Sequence, residues 1–175
     1  MDGYQNSVRA VMRAAGARRL RGVLGPVSTI LKVEPGCEVA IETALGGALQ
    51  NIVVENEAAA KAAIALLRND HAGRATFLPL DTVQPGAFRG RLSGTARLAS
   101  ALVQADPRYE NIVSNLLGRI IVVEDINEAS RVARDNGYHN KVVTMDGQVI
   151  NAGGSFTGGS VQRSAGLFTR KQEME

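Results

Sequence analysis

The chain of 175 residues is 45% apolar and 21% charged, a globular composition that excludes an intrinsically disordered protein. No apolar run is long enough to span a bilayer, and the polar, arginine-rich N-terminus is not a signal peptide, so we expect a cytoplasmic protein with no membrane partner. Cys37 is the only cysteine, which excludes an intrachain disulfide and a cysteine-based metal cluster.

Basic residues are concentrated at the N-terminal end of the chain, whose net charge is +3. Between Met1 and Val33 six basic residues stand against Asp2 alone, namely Arg9, Arg13, Arg18, Arg19, Arg21 and Lys32. A basic end on a near-neutral body indicates a polyanionic partner. The alternative is a solvated helix face, which is what most charge runs turn out to be.

The first half of the chain alternates predicted helices with predicted strands. Apolar residues at helical spacing predict a helix from Tyr4 to Gly16, which begins as though cut from something longer. Further helices are predicted after Pro26, over residues 38–45 and over residues 57–69, with strands or turns at 22–25, 51–54 and 75–78. Asn56 is predicted to cap the helix over 57–69, with Ala60, Ile64 and Leu67 on its inner face.

The second half repeats this order after a segment rich in proline and glycine. Residues 81–95 hold Arg89 and Arg91 and are predicted to join two halves. A strand or short helix is then predicted over residues 98–103 and a helix after Pro107, followed by a strand at 121–123, a helix to about Asn136 and a strand at 141–144.

An internal repeat supports two lobes. Ile-Val-Val-Glu occurs at residues 52–55 and at 121–124, each time after Leu-Gly and before a cap residue and an amphipathic helix. A spacing of 69 residues is too long for a solenoid repeat. We therefore predict a mixed α/β fold of two helix–strand–helix–strand lobes, residues 21–88 and 89–165, flanked by truncated helices at 1–20 and 166–175.

The densest sequence signal is a glycine-rich segment over residues 147–159. It contains Gly147, Gly153, Gly154, Gly158 and Gly159 among β-forming residues. Glycine weakens a strand, so such a run requires unusual backbone angles, a close phosphate or a close second backbone. A P-loop is disfavoured because Gly159 stands where its lysine belongs. A plain hairpin turn remains open, and we favour two closely apposed backbones, one from each of two chains.

An enzyme is the first rival interpretation, with the loop from Gly153 to Gly159 holding a nucleotide. His71 and His139 each follow a predicted helix at a polar turn, as helix caps or solvated residues do. No metal-ligand spacing or nucleophile motif is visible, so we predict no catalytic residue, no metal and no cofactor.

Five stretches stand out in order along the chain: Arg-Gly-Val-Leu-Gly-Pro-Val at 21–27, Ala-Ile-Glu-Thr-Ala-Leu-Gly-Gly at 40–47, Asn-Ile-Val-Val-Glu at 51–55, Arg-Ala-Thr-Phe-Leu-Pro-Leu at 74–80 and the glycine-rich segment. In these stretches the sequence resembles the hinge domain of bacterial SMC chromosome-segregation proteins.

The resemblance implies a homodimer with two contacts around a central gap. It places the five glycines of the segment at those contacts and implies a role in chromosome condensation and segregation. It also implies that residues 1–20 and 166–175 are stubs of coiled-coil arms leading to a distant ATPase head, where kleisin-type subunits would bind.

The resemblance further implies non-specific DNA binding and association with the nucleoid. The expected phosphate contacts are Arg9, Arg13, Arg18, Arg19, Arg21, Arg170 and Lys171. The second rival is a pure dimerisation module that makes no contact with DNA.

Overall fold

The fold alternates short strands with helices. The computed structural model of the chain describes residues 3–160 and Phe168. The helices of this part are α1 (Asn6–Gly16), α2 (Val27–Ile30), α3 (Glu38–Leu45), α4 (Glu57–Asn69), α5 (Glu110–Leu117) and α6 (Ile126–Asp135). The strands are β1 (Val23–Pro26), β2 (Lys32–Val33), β3 (Ile52–Val54), β4 (Phe77–Pro79), β5 (Arg97–Leu98), β6 (Val103–Gln104), β7 (Ile121–Val123), β8 (Val142–Thr144), β9 (Val149–Ile150) and β10 (Phe156–Thr157). The predicted mixed α/β fold is confirmed.

The two Ile-Val-Val segments are equivalent central strands. β3 and β7 are buried at every position, β3 pairs in parallel with β4, and β7 pairs in parallel with β8. Each central strand also has an antiparallel neighbour on its other side, β1 for β3 and β5 for β7. The helices that follow begin with equivalent caps, since Asn56 Oδ1 accepts a hydrogen bond from Ala59 N at 2.9 Å and Asp125 Oδ1 accepts one from Glu128 N at 2.8 Å. The pseudo-repeat is therefore a structural one.

The sheets differ in how far they extend. One sheet has the order β1-β3-β4, and the other has the order β10-β9-β8-β7-β5 because the glycine-rich segment adds two strands. A third, two-stranded sheet pairs β2 with β6, with Lys32 opposite Gln104 and Val33 opposite Val103. The predicted "strand or short helix" over residues 98–103 is in fact the end of β5, a 3-10 helix (Ala99–Leu102) and the start of β6.

One core is shared by both lobes. Leu31, Ile41 and Val53 of the first lobe lie in the same buried cluster as Leu102 and Val122 of the second. Phe168, the one described residue beyond residue 160, is helical, is buried in this cluster and donates its backbone N–H to Glu42 Oε1 at 2.7 Å. Arg170, Lys171 and the rest of the predicted C-terminal stub lie outside the described residues.

Helix α1 packs on the first lobe. Its buried face includes Val8, Val11 and Ala14 and lies in one cluster with Ala63 and Leu67 of α4. The predicted inner face of α4 is wrong at Ile64, which is 52% exposed. The buried stripe is centred on the alanines of α4, whose small side chains let α1 approach closely, and Ile64 lies beside that stripe.

The segment between β4 and β5, which includes the predicted joint between the lobes, has no regular secondary structure. Hydrogen bonds fasten it to α5 and α6, for example from Asn115 Nδ2 to Gln84 O at 2.9 Å and from Thr95 N to Glu128 Oε1 at 2.7 Å. Among the described residues, no helix has both the length and the apolar character needed to cross a membrane.

Candidate dimer interface at the glycine-rich segment

The glycine-rich segment starts in the turn between β8 and β9. Gly147 is buried, has a φ of +92° and donates its N–H to Thr144 O at 3.1 Å. A residue with a Cβ is strained at this φ. The geometry thus gives Gly147 a role inside its own chain, as the turn residue of a hairpin.

A polar network stiffens that turn. The Thr144 hydroxyl donates to Asp146 Oδ1, and Thr144 Oγ1 accepts a hydrogen bond from Gln148 N at 2.9 Å. The hydrogen bond from Thr144 lowers the pKa of the Asp146 carboxyl below its usual value. The turn therefore holds a carboxylate at neutral pH and presents Gln148 next to it.

The second turn of the segment connects β9 to β10. Gly153 and Gly154 have φ values of +94° and +102°. Gly153 N donates to Tyr138 O at 2.8 Å, and Gly154 N donates to Asn151 O at 2.9 Å. A Cβ built on Gly153 would meet no atom of the described chain within 4 Å. Within a single chain, glycine is therefore required at this position by its positive φ and not by lack of space.

Gln148 fastens the last two glycines. Its Oε1 accepts a hydrogen bond from Gly159 N at 2.8 Å, and its Nε2 donates to Gly159 O at 3.0 Å. A Cβ built on Gly158 would overlap Gln148 Oε1, and Gly159 has a φ of +133°. The segment joins two antiparallel strands and no helix begins in it up to residue 160, so it lacks the strand–loop–helix geometry of a nucleotide-binding loop.

Two aromatic side chains near the glycines are exposed, and neither is among the site residues predicted from sequence. Phe156, on the edge strand β10, is 59% exposed, and Tyr138, whose ring lies near Gly154, is 38% exposed. Phe156 was detectable as an apolar residue between two glycine pairs. Tyr138 is distant in sequence, so only the fold places it beside the segment.

Two strand edges carry free main-chain groups. Asn151 N donates to Ser155 O at 2.7 Å, so by alternation Thr157 faces β9 and the N–H and C=O groups of Phe156 point away from the sheet. On β4, Thr76 O and Leu80 N bond to β3, so the N–H and C=O of Phe77 point away from that sheet. No other strand among residues 3–160 pairs with either edge.

Lys141 lies behind the glycines. Its Nζ donates to Ala44 O at 3.0 Å, at the C-terminal end of α3, and burial lowers the pKa of this ammonium group. The lysine borders a cavity of about 380 Å³ together with Gly147, Gly158 and Gly159. The bond from Lys141 thereby connects the residue before β8 of the second lobe to the end of a helix of the first.

The predicted DNA-binding arginines differ in their availability. Arg13, Arg18 and Arg21 are exposed around the end of α1. Arg19 Nη2 lies 3.6 Å from Asp70 Oδ2, and Arg9 Nε is buried with no hydrogen-bond partner among the described residues. Arg170 and Lys171 lie outside the described residues, so their proximity to these arginines stays a prediction.

Comparison with known proteins agrees with this architecture. Residues 20–133 match the family model described as the SMC proteins flexible hinge domain. The chain is 37% identical over 182 residues to the chromosome partition protein Smc of Bacillus subtilis and 38% identical over 183 residues to that of Desulfitobacterium hafniense. These alignments cover 99% and 100% of the chain but only 15% of each relative.

Solved structures give the same result. An asymmetric dimer of the Geobacillus stearothermophilus SMC hinge domain matches 99% of this chain and 71% of that chain, with a TM-score of 0.89 and 37% identity. The Pyrococcus furiosus SMC hinge domain matches 91% of this chain and 92% of its own, with a TM-score of 0.71 and 28% identity. The chain therefore belongs to the SMC hinge family.

Proposed function

We propose that this chain is the dimerisation hinge of a chromosome partition protein and that two copies associate through β10 and the glycines around it. The observation that carries the proposal is the edge of β10, where Phe156 combines an exposed ring with unpaired main-chain groups. A strand edge of this kind is a template for pairing with another chain. The hinge dimer of the Geobacillus relative supports the assignment.

The complementary edge is β4. Phe77 and Phe156 each have an outward N–H and C=O, so the two residues can exchange both hydrogen bonds as one antiparallel pair. Joining β10 of one copy to β4 of the other would fuse a five-stranded sheet to a three-stranded one. A twofold axis repeats this contact and closes the dimer, as the predicted two-contact ring requires.

The glycines serve this contact in two ways. Gly153, Gly154 and Gly159 adopt positive φ, which shapes the turns on both sides of β10. At Gly153 and Gly159 no atom of the described chain lies within 4 Å of a built Cβ, which leaves room for the partner's backbone. Gly147 contributes through its own hairpin turn.

Solution mass tests the interface. Gly154→Val combined with Gly158→Val should give a folded monomer, while the unaltered chain has twice that mass. Gly36→Val combined with Gly47→Val is the control for backbone strain, because one of these exposed glycines has positive φ and the other does not, as with Gly154 and Gly158. Circular dichroism checks that the Gly154/Gly158 variant stays folded, because a side chain at position 158 would overlap Gln148 Oε1. Light scattering after size exclusion measures the mass. An unchanged dimer in the Gly154/Gly158 variant would remove these glycines from the interface.

We propose further that the hinge binds DNA through phosphate contacts made by the arginines near the end of α1. Exposed Arg13, Arg18 and Arg21 can present guanidinium groups to phosphate oxygens without reading bases. Arg19 would contribute after exchanging its contact with Asp70, which costs little because both side chains are largely exposed. Arg9, Arg170 and Lys171 complete the proposed set.

Charge reversal tests DNA binding separately from dimerisation. Arg18→Glu, Arg19→Glu and Arg21→Glu together should abolish retardation of a DNA duplex and leave the dimer mass unchanged, because none of the three lies in the glycine-rich segment. The control reverses three basic residues elsewhere, Lys32, Lys61 and Arg108. Loss of retardation in both variants to the same degree would show only a net-charge effect. If the unaltered chain retards no DNA at low salt, the hinge is a dimerisation module alone.

In the longer protein, we propose that the hinge joins two coiled-coil arms leading to an ATPase head at which kleisin-type subunits bind. This part of the proposal depends on the family relationship and on the chain spanning 15% of its relatives' length. A cytoplasmic protein associated with the nucleoid follows from the same relationship.

A further inference from the structure

A second cluster of arginines lies on the other lobe, away from the predicted DNA contacts. Arg89, Arg91 and Arg119 line a cavity of about 840 Å³. Its walls are the segment that joins the lobes, the turn between α5 and β7, and the C-terminal end of α6 with the loop that follows it. Arg89 and Arg91 lie in the segment predicted to join the lobes, and no function is predicted for them from sequence.

The backbone that carries these arginines is fastened in place. Arg91 N donates to Asn136 Oδ1 at 2.7 Å, and Asn136 Nδ2 donates to Arg91 O at 3.0 Å. Asn140 Nδ2 donates to Arg119 O at 2.8 Å. Asn136 is buried, so its bonds with Arg91 are shielded from water. Specific contacts therefore hold the linker at Arg91 and the turn at Arg119 beside the cavity.

The charge of the cavity is not balanced within the described chain. Arg89, Arg91 and Arg119 are exposed, and within residues 3–160 none of them lies within ion-pair distance of a carboxylate. Asp135 is the one carboxylate in the lining, and its Oδ2 lies 3.8 Å from Arg131 Nη1. Three guanidinium groups around one cavity repel each other, and a bound anion would remove that repulsion.

Two members of the cluster, Arg89 and Arg91, lie in the pseudo-symmetric counterpart of the segment that precedes β1. A Cβ built on Gly22, just before β1, would lie 3.1 Å from Ala59 Cβ at the start of α4. A Cβ built on Gly94, shortly before β5, would lie 2.7 Å from Glu128 Oε1 at the equivalent position of α6. In each lobe, therefore, a basic segment runs along one helix and leads into the following strand. The helix and strand are α4 and β1 in the first lobe, and α6 and β5 in the second.

The equivalence extends to the other end of these helices. In the first lobe the side chain of Arg19 contacts Asp70, which follows the last residue of α4. In the second lobe Asn136 follows the last residue of α6 and binds the backbone of Arg91, so the guanidinium group stays available. The second lobe thus presents the same kind of basic segment, and the carboxylate at its helix end, Asp135, contacts Arg131 rather than an arginine of the cavity.

We propose that Arg89, Arg91 and Arg119 form a second phosphate-binding site for the backbone of a nucleic acid, an inference that rests on the proposed DNA-binding function of the hinge. Arginine forks match phosphate oxygens. No Phe, Tyr or Trp side chain lines the cavity, so it lacks the aromatic platform on which single-strand binding proteins stack successive bases. The site would recognise phosphates whatever the base sequence, and the continuous backbone of a nucleic acid provides a row of such phosphates.

A salt series on one labelled duplex of roughly 30 base pairs tests the site, with affinity followed by fluorescence anisotropy. Arg89→Glu, Arg91→Glu and Arg119→Glu together should weaken binding at least about tenfold and lower the slope of log affinity against log salt by about two to three. The variant with Lys32, Lys61 and Arg108 reversed has the same net charge and should keep the slope. A Gln version of the cavity variant, checked by thermal unfolding, separates lost contacts from repulsion and misfolding.

The outcomes separate the two DNA sites. If the cavity variant binds like the control while the variant at Arg18, Arg19 and Arg21 does not bind, the second site is wrong and the first stands. If the cavity variant loses affinity and the first-site variant does not, the second site stands alone. No DNA binding by the unaltered chain refutes both sites.

Discussion

Gln148 is the side chain that holds the end of the glycine-rich segment against its own sheet. Its amide exchanges two hydrogen bonds with Gly159, and Thr144 binds its backbone in the turn before it. Gly158 and Gly159, which follow β10, are exposed. Glycine loses more conformational freedom on ordering than any other residue. A fixed glycine backbone therefore lowers the entropic cost of association.

Replacing Gln148 should weaken the dimer without unfolding the chain. Gln148→Met keeps the side-chain length and removes both bonds to Gly159. We expect the dimer dissociation constant to rise about tenfold, because ordering one free residue costs roughly 1–2 kcal/mol on association. Sedimentation equilibrium measures the constant. Gln104→Met, an exposed glutamine on β6, is the control, and equal constants in the two variants would contradict this role.

The glycines themselves show what sequence can and cannot reveal about a site. A run of five glycines predicted special backbone requirements at residues 147–159, and four of these glycines have positive φ. Sequence alone did not separate conformational need from close approach, because both select glycine. It also missed Tyr138, which reaches Gly153 through its carbonyl group across the fold.

At the scale of elements, local signals were sufficient where a helix or strand is defined by its own residues. The predicted helix over residues 38–45 coincides with α3, and the predicted cap Asn56 binds Ala59 N. Local signals failed where packing decides. The inner face of α4 follows the small alanines and Leu67 against α1 and excludes Ile64, and two-residue strands such as β2 and β6 carry no periodicity to detect.

The corrected face of α4 gives a paired prediction. Leu67 is 3% exposed in the cluster with α1, whereas Ile64 is 52% exposed. Leu67→Ala should lower the free energy of unfolding by about 2–4 kcal/mol, and Ile64→Ala should lower it by less than about 1 kcal/mol. Urea unfolding measures both. Equal losses would mean that α4 packs with the face predicted from sequence.

At the scale of the whole molecule, a repeated lobe explains why the chain has two unlike edges. The lobes share one core and the same central strand pattern, but only the second is extended by β9 and β10. The first lobe consequently ends in the edge of β4, and the second ends in the edge of β10. Two unlike edges on one chain can pair with the opposite edges of a second copy, which gives a closed dimer with two equal contacts.

Amide hydrogen exchange at Phe156, followed by NMR, tests the central claim of edge-to-edge dimerisation most directly. In a single chain the Phe156 N–H points away from β9 and has no strand partner among the described residues. We expect it to be strongly protected at concentrations where the chain is dimeric and to lose that protection on dilution to monomer, together with the Phe77 N–H. Exchange of Phe156 at the rate of an unstructured peptide in the intact dimer would contradict the account.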